Sequence, residues 1–140
     1  MNKSFPIGIF DSGVGGLSVL QRINSKLPNE SLVYVADSIN APYGTKDDSF
    51  IIDRSISIVD FLVANHQIKL LVIACNTATA SSIGKLREIY DFPIIGMEPA
   101  IKPANEASKS KKVGILATEG TIKSSKFSAL LDSYYGETQF

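Results

Sequence analysis

Strand and helix signals alternate along all 140 residues, which predicts an α/β domain: a parallel sheet of four or five strands with helices on both faces. Two further observations support this. The strand-like runs are nearly continuous in apolar residues, "KLLVIA" above all, as expected for strands buried on both sides. The residues after each run are rich in Gly, Ser, Thr, Asn and Asp, whereas the opposite ends carry the ordinary solvated turns "LPNE", "NHQIK" and "SKSKK". Open parallel sheets bind ligands beyond the carboxyl ends of their strands, so the first set of ends is where a site is expected.

The elements follow in order. Phe5 to Phe10 reads as a first strand. Leu17, Leu20, Ile23 or Asn24, and Leu27 recur at helical spacing, and Pro28-Asn29 ends that helix. Ser31 to Ala36 is a second strand. Ile52, Ile56, Val59 and Val63 mark one face of a second helix, opened by Asp47 or Asp48. Lys69 to Ala74 is a third strand. Thr79, Ile83, Leu86 and Tyr90 mark a third helix, and Pro93 to Gly96 a short fourth strand. Pro99 to Ser108 is a helix with both prolines in its first turn, where a missing donor matters least. Val113 to Ala117 is expected as a fifth strand and Ser124 to Tyr134 as a final helix. Thr138 to Phe140 then reads as the start of another strand, so the chain is expected to be half of something larger.

Composition narrows the function. Lys plus Arg equals Asp plus Glu, and no basic run carries interleaved aromatics, which argues against a nucleic-acid partner. The N-terminus lacks a proper apolar region and cleavage site, so no signal peptide is read there. No apolar segment approaches the roughly 18 residues of a membrane span. The single cysteine excludes an internal disulfide. A cytoplasmic protein without membrane contact is expected.

Two motifs invite chemistry. "FDSGVGGLSVL" is a glycine-rich turn between strand and helix, which presents backbone N–H groups to an anion. It lacks the Lys-Ser/Thr ending of a phosphate loop and the last glycine of the dinucleotide fingerprint. Asp37, at the end of the second strand, sits where a ribose-binding acid belongs, so a nucleotide reading stays open. The plain alternative is a tight turn with Asp11 or Ser12 capping the helix. In "LLVIACNTAT" the lone Cys75 is either an inert core thiol, as most buried cysteines are, or a reactive one. Its place before a helix start brings the second reading level with the first, since a helix N-terminus favours a thiolate. A cysteine hydrolase needs a histidine base, and the only histidine, His66, lies at the wrong end of the sheet, where it reads as a helix C-terminal residue. One Cys and one distant His make no metal site. Proton transfer by the thiol itself remains.

"GIFDSGVGGLSVL", "VYVADSINAPYGTK", "VIACNTATA", "GMEPAIKPA" and "VGILATEGTI" together resemble the N-terminal half of the glutamate racemases, in the aspartate/glutamate racemase superfamily. The resemblance runs from about Ile7 to Thr121 and implies flavodoxin-like layering. It also implies cofactor-independent interconversion of L- and D-glutamate, which supplies peptidoglycan synthesis in bacteria. Two cysteines then face each other across the substrate α-carbon, one removing a proton and the other delivering one. Carried over by motif, Cys75 is one of these, and Asp11 lies near the substrate ammonium and tunes the transfer. Ser12, Tyr43 and Gly44 contact substrate, Asn76 and Thr77 bind its α-carboxylate region, and Thr118 and Thr121 add polar contacts. No metal or cofactor is implied, and a homodimer is consistent with the family. The family's second half, with a Cys-Thr-His motif and a similar second domain, has no counterpart here. The 140 residues alone are therefore expected to racemise glutamate poorly, exchanging the α-proton on one face at best.

Overall fold

The computed structural model describes residues 4–134 and 136–140. Residues 1–3 of the N-terminal stretch, in which no signal peptide is read, lie outside the described residues. Four strands, β1 (Ile7–Asp11), β2 (Leu32–Ala36), β3 (Leu70–Ile73) and β4 (Ile94–Gly96), form one sheet in the order β2-β1-β3-β4. Every pairing is parallel. Helices α1 (Leu17–Lys26), α2 (Asp48–His66) and α3 (Asn76–Ile89) connect the strands, and α4 (Ile101–Ala107), α5 (Glu119–Lys123) and α6 (Ser125–Asp132) follow β4.

Strand alternation distributes the core between two layers. Ile7, Ile9 and Val72 pack with Val19, Leu20 and Ile23 of α1 on one face. Phe10, Leu71 and Ile73 pack with α2 and α3 on the other, through Ile58, Val59, Leu62, Ile83 and Leu86. Gly8 lies at a close approach there, since a β-carbon on it would stand 2.9 Å from the tip of the Ile68 side chain and push it aside. The order reverses between β1 and β3, one connection passing to β2 and the other to β4. This switch point opens a crevice at the carboxyl ends of β1 and β3.

Two expectations are corrected. Val113 to Ala117 does not form a fifth strand. Leu116 is fully exposed and only Lys112 pairs, in an isolated bridge with Gln139 near the chain end. A run of apolar residues needs a partner edge to become a strand, and beyond Val113, whose N–H donates to the Gln139 carbonyl at 2.9 Å, this run pairs with no strand among the described residues. It lines the crevice instead. In α2 the buried stripe is Ile51, Ser55, Ile58 and Leu62 with Val59, while Ile52 and Ile56 are half-buried and Val63 is exposed. The helix carries two apolar stripes, and a serine interrupts the one that faces the sheet. Ser55 is completely buried and its hydroxyl has no hydrogen-bond partner. No helix among the described residues is long and apolar enough to cross a membrane.

Candidate active site

The crevice is a cleft of about 780 Å³. Its floor is built from the tips of β1 and β3. Asp11 ends β1, and its Oδ2 accepts N–H bonds from Gly13 and Gly16, both at 3.1 Å. The Tyr34 hydroxyl donates to the Gly13 carbonyl at 3.0 Å. The glycine turn is thus tied to β1 from one side and β2 from the other. Burial raises the Tyr34 phenol pKa, as do the neighbouring charges of Asp11 and Cys75, so the phenol stays a donor. Asp11 closes the turn through the Gly13 and Gly16 amides, but the N-cap of α1 is Gly16, so neither Asp11 nor Ser12 takes the N-cap position that the plain alternative expected.

Gly16 is a close-packing position. A β-carbon there would stand 2.7 Å from Asp11 Cβ, 2.9 Å from Ala74 Cβ and 2.9 Å from the Tyr34 hydroxyl. The first two are β-carbons fixed to the backbone and cannot swing aside. Gly16→Ala is expected to destabilise the fold by about 1–3 kcal/mol, the usual cost of overpacking, and to displace the Asp11 carboxylate. Urea unfolding gives the first quantity. Unchanged stability would show that the turn shifts freely.

Cys75 follows β3 and is the N-cap of α3. Its sulfur accepts the Ala78 amide at 3.4 Å and lies 3.5 Å from the Ser12 hydroxyl. It is buried, 8% exposed, and belongs both to the core cluster and to the lining of the cleft. Asn76 is exposed on the first turn of α3, and Thr77 stands behind it. The hydroxyls of Thr77, Thr118 and Thr121 form a closed group, with separations of 3.1, 3.5 and 3.0 Å. Thr118 is also the N-cap of α5, so this group joins the first turns of two helices. Asp11, Ser12, Cys75, Asn76, Thr77, Thr118 and Thr121 all line the one cleft.

Tyr43 and Gly44 are placed differently from a simple contact pair. The Tyr43 ring is 1% exposed and turned into the core, where its hydroxyl donates to Asp37 Oδ2 at 2.6 Å. The cleft wall there is Ala41 and Pro42. Gly44 packs against Thr118, whose Cβ would lie 2.6 Å from a β-carbon on residue 44. What residues 43 and 44 can offer to the cleft is therefore backbone rather than the phenol.

Asp37 is not free to bind a ribose. Its Oδ1 accepts from Arg54 Nη2 at 3.0 Å and Asn40 Nδ2 at 2.9 Å, while Oδ2 accepts from Arg54 Nε at 3.1 Å and from Tyr43. The carboxylate has no capacity left for a ribose. Burial alone would push its pKa up, but the bonds from Arg54, Tyr43 and Asn40 outweigh that and hold it below the usual carboxylate range. A depressed pKa means stability that is fully present above the ordinary carboxylate value of about 3.9 and is lost as pH falls through the folded value. The network is intact at neutral pH.

His66 is the last residue of α2, at the far end from the cleft, as the sequence reading placed it. No group of His, Cys, Asp and Glu that could hold a metal occurs among the described residues. The sequence reading missed Tyr34 and Arg54. Arg54 left a visible signal, as the only Lys or Arg between Asp48 and His66 in an otherwise apolar and acidic helix.

Comparison with known proteins agrees with this geometry. The family model described as Asp/Glu/hydantoin racemase matches residues 7–140. A glutamate racemase of Ectopseudomonas mendocina is 55% identical over 141 aligned positions, which cover 99% of this chain and 53% of that protein. The crystal structure of Escherichia coli glutamate racemase, in complex with L-glutamate and the activator UDP-MurNAc-Ala, superposes with a TM-score of 0.89 at 43% identity. That match covers 96% of this chain and 51% of the other. Francisella tularensis glutamate racemase in complex with D-glutamate superposes with a TM-score of 0.77 at 32% identity, over 97% of this chain and 51% of that one. The chain spans about half the length of the curated relatives it matches.

Proposed function

The chain belongs to the Asp/Glu/hydantoin racemase family, and from that premise we propose that it is the first domain of a two-domain glutamate racemase and supplies one of its two proton-transfer groups. The observation that carries this reading is the placement of Cys75. A thiol at the tip of β3 lines a cleft, with a helix N–H at its sulfur and Asn76 and Thr77 lining the same cleft beside it.

In the proposed step the Cys75 thiolate takes the proton from the α-carbon of glutamate. The C–H electron pair stays on carbon and delocalises into the α-carboxylate. Inversion then requires an acid on the opposite face to deliver a proton to that carbon. The α-carboxylate accepts from the first turn of α3 and its side chains, which are in place before charge develops there. Asp11, held by two amides, presents its anionic edge to the substrate ammonium. Thr118 and Thr121 extend the polar wall. No cofactor enters the step.

The acid on the opposite face belongs to the second half of the enzyme, with its Cys-Thr-His motif. The role in peptidoglycan supply follows the resemblance, and the muramyl nucleotide bound to the Escherichia coli relative supports it. Cytoplasmic location and a homodimer belong to the same reading. So does the weak racemisation expected of these 140 residues.

The lone cysteine makes the test simple. L-Glutamate at millimolar concentration is expected to slow alkylation of Cys75 by iodoacetamide several-fold, and NAD is expected to leave it unchanged. Protection by NAD and not by glutamate would favour a nucleotide-binding module over a racemase domain.

A further inference from the structure

We propose that the Asp37–Arg54 ion pair is a positioning device for the reaction: it holds the 41–45 loop as the wall of the cleft and thereby sets access to Cys75. The inference rests on the racemase reading for what the wall encloses, but its geometry stands on its own.

Arg54 projects from α2, an element that contributes nothing to the cleft lining. It grips Asp37 with two parallel N–H bonds, at 3.0 and 3.1 Å. The Asp37 side chain is 5% exposed and that of Arg54 34% exposed, so a nearly buried carboxylate takes its charge partner from the protein edge. The same carboxylate receives Asn40 and Tyr43, one from each 3-10 turn of the segment that follows β2, Ser38–Asn40 and Tyr43–Thr45. Between those two anchors lie Ala41 and Pro42, which line the cleft. Immediately after Tyr43, the Gly44 backbone is pressed against Thr118. Thr118 in turn bonds Thr77, two residues from Cys75. A continuous set of contacts therefore runs from Arg54 through Asp37, Tyr43, Gly44, Thr118 and Thr77 to the sulfur's surroundings.

The alternative roles of Asp37 fit less well. With each oxygen accepting two bonds, it is neither a free general base nor an ammonium ligand. A pair needed only for folding would not have to bind both ends of the loop that walls the cleft. The planar fork of arginine suits a four-bond carboxylate, and lysine offers a point charge instead.

The test uses the chain itself, with Cys75 alkylation by iodoacetamide at neutral pH as the readout, under conditions where circular dichroism shows each variant folded. Arg54→Met is expected to speed alkylation of the ligand-free chain several-fold, because the wall loosens. It should also raise the L-glutamate concentration that half-protects the thiol by about tenfold, equivalent to about 1.4 kcal/mol. Arg54→Lys is expected to recover part of both effects. Tyr43→Phe keeps the buried ring and loses only the bond to Asp37. It should shift both readouts in the same direction by a smaller factor, and it decides the matter if Arg54→Met does not fold. Wild-type alkylation rates and half-protection in the folded variants, with only a lowered melting temperature, would overturn the proposal and leave a purely stabilising ion pair. A wild-type chain that glutamate does not protect would count against the racemase reading, while the ligand-free rates would still decide whether Arg54 holds the wall.

Discussion

Replacing Cys75 by serine is expected to lower exchange of the glutamate α-proton with solvent by about 10²–10⁴-fold, the range that a positioned acid–base group contributes. Serine is a fair test because it preserves most of the local structure. Its hydroxyl can accept the Ala78 amide that the sulfur now accepts at 3.4 Å, and it still faces Ser12. What it cannot do is ionise near neutral pH. The change therefore separates the N-cap role of position 75 from its proton-transfer role. Thermal unfolding should stay close to that of the parent chain while exchange, followed by loss of the α-proton NMR signal in D2O, falls steeply. Equal exchange in the serine variant would mean that another group removes the proton. Asp11 would be the first to examine, since it reaches the same cleft from β1.

The second large effect concerns the layer beneath the site. Phe10→Ala is expected to destabilise the chain by about 3–5 kcal/mol, the usual cost of truncating a buried aromatic side chain. Total stability of a domain is about 5–15 kcal/mol, so much of the variant would be unfolded or close to it at physiological temperature. Phe10 is completely buried and belongs to the core cluster that packs against α2 and α3. Its carbonyl also accepts the Ala74 amide at 2.8 Å, the last β1–β3 link before Asp11 and Cys75 diverge. The cavity thus forms directly under the switch point. A urea midpoint shifted by an amount worth less than 1 kcal/mol would show that the core repacks, and that the strand tips are not held as rigidly as described.

The α/β class and the side of the sheet that bears the cleft were both legible in the sequence, because each depends on local patterns. Apolar runs and helical spacings locate β1 to β4 and α1 to α3, and the polar residues after each strand mark the functional edge. The errors arose where tertiary context outweighs the local pattern. Val113–Ala117 has the composition of a strand but no sheet edge beside it. In α2, Ser55 faces the sheet while Ile52 and Ile56 lie toward the flank, so hydrophobicity alone selects the wrong stripe. At the site, Cys75, Asn76 and Thr77 could be placed because a strand end and a helix start fix them. Tyr43 could not, because its ring direction depends on a carboxylate six residues earlier and a guanidinium eleven residues later. The clustering of Thr77 with Thr118 and Thr121 spans more than forty residues and depends on how α5 docks on α3. No spacing rule in the sequence announces it.

The most direct measurement of the central claim is mass spectrometry of L- and D-glutamate, incubated separately with the chain in D2O. One thiol on one face predicts deuterium at the α-carbon from one enantiomer only, with optical rotation unchanged, and no incorporation with the Cys75→Ser variant. Equal labelling of both enantiomers, or labelling that survives loss of the thiol, would contradict the assignment of Cys75 as the proton-transfer group.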